Sequence, residues 1–301
     1  MTSQAISHDN RLRFSRSHEQ EADRIGIRNL YNAGFDPADM SGMFEQMLRL
    51  SSGSQKMPEF LSTHPLDENR IADSKNRANS YPDVVHIPNP EYQLMRERVI
   101  MHYSGNPEAE FEARRTRLPQ LHGTDASAAR YGMALALLKM GRHVEASENM
   151  SVLREQEPTR ITYVLLEAEV AAAAGNHEQA LDLLSEHLRI NPGNHPLIMA
   201  QAATLAKTER YSEAVAVLEK QSTVRSNDLH LWYELAELQG LAGNISKVHQ
   251  ARAEYFICIG DFARAREQFN FALNLEEDRL ATARIRQRQD YIRELEAKFY
   301  R

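Results

Sequence analysis

Residues 141–146 read Gly-Arg-His-Val-Glu-Ala, and residues 175–180 read Gly-Asn-His-Glu-Gln-Ala. The first glycines of the two stretches are 34 positions apart, and so are their final alanines. Pro158 and Pro192 keep the same interval, and Ala214 follows the second of those alanines by another 34 positions. A pattern that recurs at a fixed interval of this length predicts stacked helical hairpins, each covering the apolar face of the next.

The repeat extends over four units, and their residue types fit two helices each. Small residues that permit close helix approach recur in the predicted first helices, namely Ala134, Ala168, Ala202 and Ala236. The turns after those helices contain Gly141, Gly175, Glu209 and Gly243, where a residue with positive φ can end a helix. The sequence is therefore similar to tetratricopeptide (TPR) arrays, and we predict a TPR α-solenoid over 126–301 that ends in a charged capping helix.

A second pattern lies upstream, in a stretch with helical spacing at residues 15–26. On such a helix Arg16, Glu19 and Asp23 are three and four positions apart, so that their side chains share one face. One interpretation is a surface helix with solvated charges. The other is that Glu19 binds a metal ion while Asp23 and Arg16 support the site without binding the metal.

The residues of this stretch carry a resemblance to a known family. The order Arg16-x-x-Glu19-x-x-Ala-Asp23, followed by Ser-Thr-His64-Pro and then Arg70, resembles the downstream half of the active site in the CaaX prenyl protease/HtpX family of zinc metallopeptidases. The BepA-like members of that family also carry a TPR array. The resemblance implies that Glu19 is a zinc ligand, that Asp23 supports the site, and that His64 is a further, reversible ligand.

One part of the family pattern does not occur in these 301 residues, which contain no H-E-x-x-H motif. The resemblance places two histidine ligands and the catalytic glutamate in that motif, so we expect no catalytic residue in this chain. A single zinc ion would need histidine ligands from upstream, because such sites use at least three protein ligands. We therefore expect the C-terminal part of a longer peptidase or a truncated gene product, without peptidase activity by itself.

Composition limits the remaining function classes. The formal charge is −6 and there is no long basic run, so nucleic acid is not an expected partner. No apolar stretch approaches the length of a membrane span, and the N-terminus lacks a signal-peptide core. A periplasmic location follows from the resemblance alone. The single cysteine, Cys258, has apolar neighbours and is interpreted as a structural thiol.

Prolines between residues 82 and 90 predict a boundary, because they prevent a regular helix there. We expect the C-terminal portion of a zinc metallopeptidase domain over 1–82, a linker and helical hairpin over 83–125, and the repeats over 126–301. The resulting class is all-α, with the helical part of a zincin-type domain followed by the solenoid.

The repeats predict a binding function of their own, since stacked hairpins form a concave face lined by their first helices. Candidate residues on that face, which could equally be packing residues, are Tyr131, Arg160, Tyr163, Asn194, Leu197 and Tyr233. Two functions stay open. The chain is either part of a zinc endopeptidase for envelope protein quality control and outer-membrane protein assembly, with repeats that bind substrates or assembly machinery, or a non-catalytic adaptor with a relic of the peptidase fold.

Overall fold

The computed structural model describes residues 3–53, 68–84 and 89–299. The chain divides into two compact units, Met1–Pro88 and Asn89–Arg301. In the described residues the regular structure is helical throughout, which confirms the all-α prediction. The finer division predicted from the prolines, with a separate linker and hairpin over 83–125, stays a prediction.

The described part of the first unit contains three helices. Their bounds are Ser3–Asn32 (α1), Ala38–Gly53 (α2) and Glu68–Ala78 (α3). The helix α3 packs against both α1 and α2, and Ile27, Phe44 and Ile71 are buried between these three elements. The packing brings residues of α1 next to residues of α3 that lie almost fifty positions later in the chain.

The second unit is a run of consecutive helices. Their bounds are Pro90–Tyr103 (α4), Pro107–Arg117 (α5), Gly123–Lys139 (α6), His143–Gln156 (α7), Ile161–Ala173 (α8), His177–Ile190 (α9), His195–Lys207 (α10), Tyr211–Ser222 (α11), Leu229–Leu241 (α12), Ile245–Cys258 (α13), Phe262–Leu275 (α14) and Arg279–Phe299 (α15).

Four hairpins follow the predicted interval of 34 residues. The helix pairs α6/α7, α8/α9, α10/α11 and α12/α13 pack internally, and each pair contacts the next. The small residues predicted to let the helices approach are buried, since Ala134, Ala168, Ala202 and Ala236 have exposures of 0%, 2%, 2% and 3%. Helix α13 packs against both α12 and α14, so it belongs to two successive hairpins. The final helix α15 packs against α14 at the end of the stack.

The turns confirm why glycine recurs. Gly141, Gly175 and Gly243 have φ values of 74°, 85° and 79°, in the left-handed region that glycine enters without steric cost. In the third repeat Glu209 occupies the equivalent turn with φ 59°. A side chain with a β-carbon is strained in this conformation, so the third turn carries a local cost that the others lack.

Candidate functional site

The candidate metal site lies where α1 meets α3. Helical spacing places Glu19 and Asp23 one turn apart on α1, and the packing of α3 brings Arg70 against both of them. Arg70 donates from Nε and Nη2 to the two carboxylate oxygens of Asp23, both at 2.8 Å. Its Nη2 also lies 3.2 Å from Oε2 of Glu19. Three residues of the predicted motif therefore meet at one point.

The Arg70–Asp23 pair is largely excluded from water. Both side chains are 9% exposed, and the Arg70 guanidinium carbon lies 5.2 Å from the centroid of the Phe44 ring on α2. A two-point contact between a guanidinium and a carboxylate fixes the relative orientation of both planes, and it is stronger than a single neutral hydrogen bond. Glu19, at 17% exposure, sits at the more open end of this cluster.

Arg70 is a predicted site residue whose partners the motif did not specify. The structure joins it to the carboxylates of Glu19 and Asp23. The carboxylate of Asp23 is bound to a guanidinium, and Arg70 in turn reaches Glu19. The sequence had no means of revealing this contact, because Asp23 and Arg70 are 47 positions apart.

The predicted roles of all the site residues stay predictions, and the structure does not describe two of the side chains. His64 lies outside the described residues, and so does the side chain of Arg16, although the latter belongs to α1. Within the part of the chain that is described, no group of three or more histidine, cysteine, aspartate or glutamate side chains is arranged to hold a metal ion. A zinc ion needs at least three protein ligands, so Glu19 would fit such a site only as one ligand among several.

The predicted binding face of the repeats divides into buried and accessible members. Tyr131 and Leu197 are 0% exposed and Tyr163 is 2% exposed, so these three are packing residues. Asn194 caps α10, since its side chain accepts a hydrogen bond from the Leu197 amide at 3.2 Å. Tyr233 is 51% exposed and is the predicted residue that remains accessible.

Helix α4 accounts for the burial of Tyr131. Arg98 on α4 donates from Nε to the Tyr131 hydroxyl at 2.5 Å, and its Nη1 lies 3.1 Å from the Glu169 carboxylate on α8. Burial raises the pKa of the Tyr131 hydroxyl above its usual value, although the Arg98 charge opposes this shift. Arg160, another predicted residue of the concave face, donates to Glu91 at the start of α4 at 2.5 Å. Helix α4 of the same chain therefore occupies part of the predicted binding face.

Comparison with known proteins supports the resemblance. Residues 3–78 match the model of Peptidase family M48. The chain is 28% identical over 291 residues to the beta-barrel assembly-enhancing protease of Escherichia coli (strain K12), covering 96% of this chain and 59% of that protein. It is 29% identical over 283 residues to the putative beta-barrel assembly-enhancing protease of Vibrio cholerae, covering 93% of this chain and 58% of the relative. The predicted resemblance to zinc metallopeptidases with a repeat array is confirmed.

The chain spans about three fifths of the length of these relatives, 59% in the first case. A shorter match, 42% identity over 60 residues, links 20% of the chain to 12% of the mitochondrial metalloendopeptidase OMA1 of Arabidopsis thaliana. Among solved structures, a TPR protein of Thermus thermophilus covers 68% of this chain and 98% of its own at 21% identity and a TM-score of 0.37. A TPR protein of Parabacteroides merdae covers 80% of this chain and 96% of its own, at 12% identity and a TM-score of 0.42.

No described helix combines the length and apolar character that a membrane span requires.

Proposed function

We propose that residues 3–78 contribute the zinc ligand Glu19 and its supporting groups to a metalloendopeptidase site, and that the repeats bind the protein substrates or assembly partners of that enzyme. The observation that carries this proposal is the convergence of Glu19, Asp23 and Arg70, in the order in which the family motif presents them. The match of residues 3–78 to Peptidase family M48 supports the same conclusion.

In the proposed site each described residue has a distinct role. The Glu19 carboxylate would hold the ion together with two further ligands. When bound, zinc supplies a Lewis acid that polarises a scissile carbonyl and activates water. Arg70 fixes the direction of the Glu19 carboxylate through its contact at 3.2 Å, and Asp23 fixes Arg70 through two hydrogen bonds. The pair therefore acts as a rigid support, and outer contacts of this kind tune the affinity of a site for its metal.

The setting of the reaction is proposed from the relatives. Proteins named beta-barrel assembly-enhancing proteases resemble nearly the whole of this chain. This supports a role in outer-membrane protein assembly and envelope protein quality control, within the periplasm. The repeat array would bring substrates or assembly machinery to the site.

The test compares Glu19→Gln with Glu21→Gln in the protein as its own cell makes it. Glu21 is an exposed carboxylate of the same helix, two positions away, and serves as the matched control. We expect Glu19→Gln to lower the zinc content per molecule and to abolish cleavage of casein, while Glu21→Gln retains both. The 301-residue chain alone should bind much less than one zinc per molecule. Equal zinc content and activity in both variants would refute the role of Glu19.

A non-catalytic adaptor is the alternative function. The accessible side chains of the fourth repeat favour it, because Tyr233 and Leu241 are 51% and 59% exposed on the first helix of that repeat. An adaptor would lose no cellular function through Glu19→Gln, whereas a peptidase would. Complementation of a deletion strain by the two variants therefore separates the alternatives.

A further inference from the structure

Helix α4 lies along the first helices of the first two repeats. Glu91 accepts hydrogen bonds from Arg160 and Thr162 at the start of α8, and Arg98 reaches Glu169 further along the same helix. Glu91 and Arg98 are seven positions apart, and so are Thr162 and Glu169. The two helices therefore run in the same direction, and their side chains meet at two points that lie two turns apart.

Apolar and terminal contacts complete this arrangement. Leu94 and Met101, again seven positions apart, are 1% and 4% exposed and belong to the same core as Tyr131. At the end of α4, Lys139 of α6 donates to the carbonyl oxygens of Met101 and Ser104 at 2.8 and 3.0 Å. A cation at a helix C-terminus satisfies carbonyls that lack a partner within the helix. We call this surface of α6 and α8 the first groove.

The positions that bind α4 recur two repeats later. His230, Glu237 and Lys207 lie 68 positions after Thr162, Glu169 and Lys139. We call the corresponding surface of α10 and α12 the second groove. Five side chains of the first groove hydrogen-bond α4, and two of them, Glu169 and Lys139, keep their residue type there. The other three, Tyr131, Arg160 and Thr162, are replaced by Met199, Asp228 and His230.

The clefts at the two grooves are built from equivalent segments. Residues 156–162 and Glu91 of α4 line a cleft of about 650 Å³ in the first groove. Residues 224–230 line a cleft of about 820 Å³ at the start of α12, where Tyr233 of α12 and Tyr255 of α13 complete the wall. The two segments are again 68 positions apart. The second cleft is the larger one, and none of the residues that line it belongs to α4.

The second groove is accessible, and it is acidic at Glu237, the position that corresponds to Glu169. The Glu237 side chain is 54% exposed, and Arg252 approaches it only to 3.9 Å. Tyr233 is 51% exposed, and Ala203 and Lys207 are exposed on the neighbouring helix α10. Paired apolar and charged groups on a first-helix face are suited to a helix that lies in a groove.

The start of the second groove differs in charge. Asp228 stands where the first groove has Arg160, and it accepts hydrogen bonds from Arg225 at 3.1 Å and from the Leu231 amide at 3.2 Å. A carboxylate in the place of Glu91 would therefore meet another carboxylate. An occupant is expected to carry an uncharged or basic residue there.

From this correspondence we propose that the second groove binds a helical segment of a partner protein. An arginine of the segment pairs with Glu237, as Arg98 pairs with Glu169, and its C-terminal carbonyls meet Lys207, as those of α4 meet Lys139. The inference rests on the proposed binding function of the repeats, and it names the chemistry of the partner. It is independent of zinc and of peptide cleavage.

The probe is a labelled peptide with the sequence of residues 89–104 and the substitution Glu91→Gln. Fluorescence anisotropy measures its binding to the full chain. We expect saturable binding that Glu237→Gln weakens about tenfold, as the loss of one charge-assisted hydrogen bond implies. Glu186→Gln is the control, since Glu186 is an exposed carboxylate on α9, the second helix of its repeat, and should leave binding unchanged.

A double-mutant cycle assigns the contact. The peptide with a further Arg98→Gln change should bind the unaltered chain about tenfold more weakly, and it should lose little more on the Glu237→Gln chain. Additive losses would overturn the proposal, as would absent binding at millimolar peptide.

Two further outcomes would also overturn it. Sensitivity to Glu169→Gln in place of Glu237→Gln would show that the peptide displaces α4. A chain that sedimented as a dimer and became monomeric through Glu237→Gln would show that a second copy covers the groove. Zinc content should remain normal in Glu237→Gln, so failure here leaves the proposed role of Glu19 to its own test.

Discussion

The buried pair between Arg70 and Asp23 should hold the described part of the first unit together. Two hydrogen bonds of 2.8 Å and side-chain exposures of 9% place both charges away from water. Removing one partner of such a pair leaves the other charge poorly compensated, which typically costs about 3–5 kcal/mol. We expect Arg70→Ala to lower the free energy of unfolding of this unit by about that amount, because it leaves Asp23 and Glu19 close together without their shared guanidinium.

Smaller changes should follow the geometry. Asp23→Asn keeps the size of the side chain but removes its charge, so we expect a loss of about 2–3 kcal/mol. Glu19→Gln weakens the contact of 3.2 Å with Arg70 at a more exposed position, and its expected cost is about 1 kcal/mol. The matched control is Arg24→Ala, since the Arg24 side chain is 50% exposed and lies 4.0 Å from Asp73. An exposed ion pair of this kind contributes about 0–1 kcal/mol.

The assay exploits the single tryptophan. Trp232 lies in the fourth repeat, so its fluorescence reports unfolding of the second unit, while far-UV circular dichroism reports both units. In urea titrations Arg70→Ala should move the transition followed by circular dichroism to lower urea, while the transition followed by Trp232 fluorescence stays in place. Hydrogen exchange in α1 and α3 should accelerate. Unchanged exchange protection in these helices would refute the reasoning, and so would a loss no larger than that of Arg24→Ala.

Three other predictions concern the repeats. Glu209→Gly should stabilise the array by about 0.5–1 kcal/mol, because the turn has φ 59°; urea midpoints measure the gain. Burial lowers the pKa of His187 below its usual 6.5, so the unfolded chain binds this proton more tightly. Stability supported by the neutral ring is present above about pH 6.5 and lost as pH falls, and His187→Gln should flatten that loss in melting curves between pH 7 and 5. Gly132→Ala should destabilise the array by about 1–3 kcal/mol, since the added methyl would collide with the buried pair of Arg114 and Glu97.

Each of these predictions has a control or a contrary outcome. Glu209→Ala keeps the β-carbon, so a gain as large as that of the glycine variant would argue against backbone strain. A pH profile of His187→Gln that parallels the unaltered chain would place the dependence on another group. For Gly132→Ala the control is Gly240→Ala, whose methyl would meet Val248 at an ordinary contact distance of 3.7 Å.

The sequence by itself determined the repeat architecture. Periodicity is a local property, and small residues such as Ala134 and Ala168 recur where helices must approach, while Gly141 and Gly175 recur where the chain must enter positive φ. The structure confirms these positions, because each requirement concerns neighbours within one hairpin. The sequence also singled out Glu19 and Asp23, since three- and four-residue spacing places them on one helical face.

Only the tertiary structure decided which groups those residues meet. Arg70 comes to Asp23 through the packing of helices 47 positions apart, and spacing along the chain carries no information about such a contact. Spacing along the chain does not reveal the contacts of α4 either, whose Arg98 donates hydrogen bonds to Tyr131 and Glu169. The same local sequence pattern is compatible with a tyrosine that binds a partner and with one that packs inside the fold. Tyr131 is 0% exposed because α4, a helix from outside the repeats, covers it. Three-dimensional packing determines which distant segments contact each other, and it also determines that the second groove remains accessible.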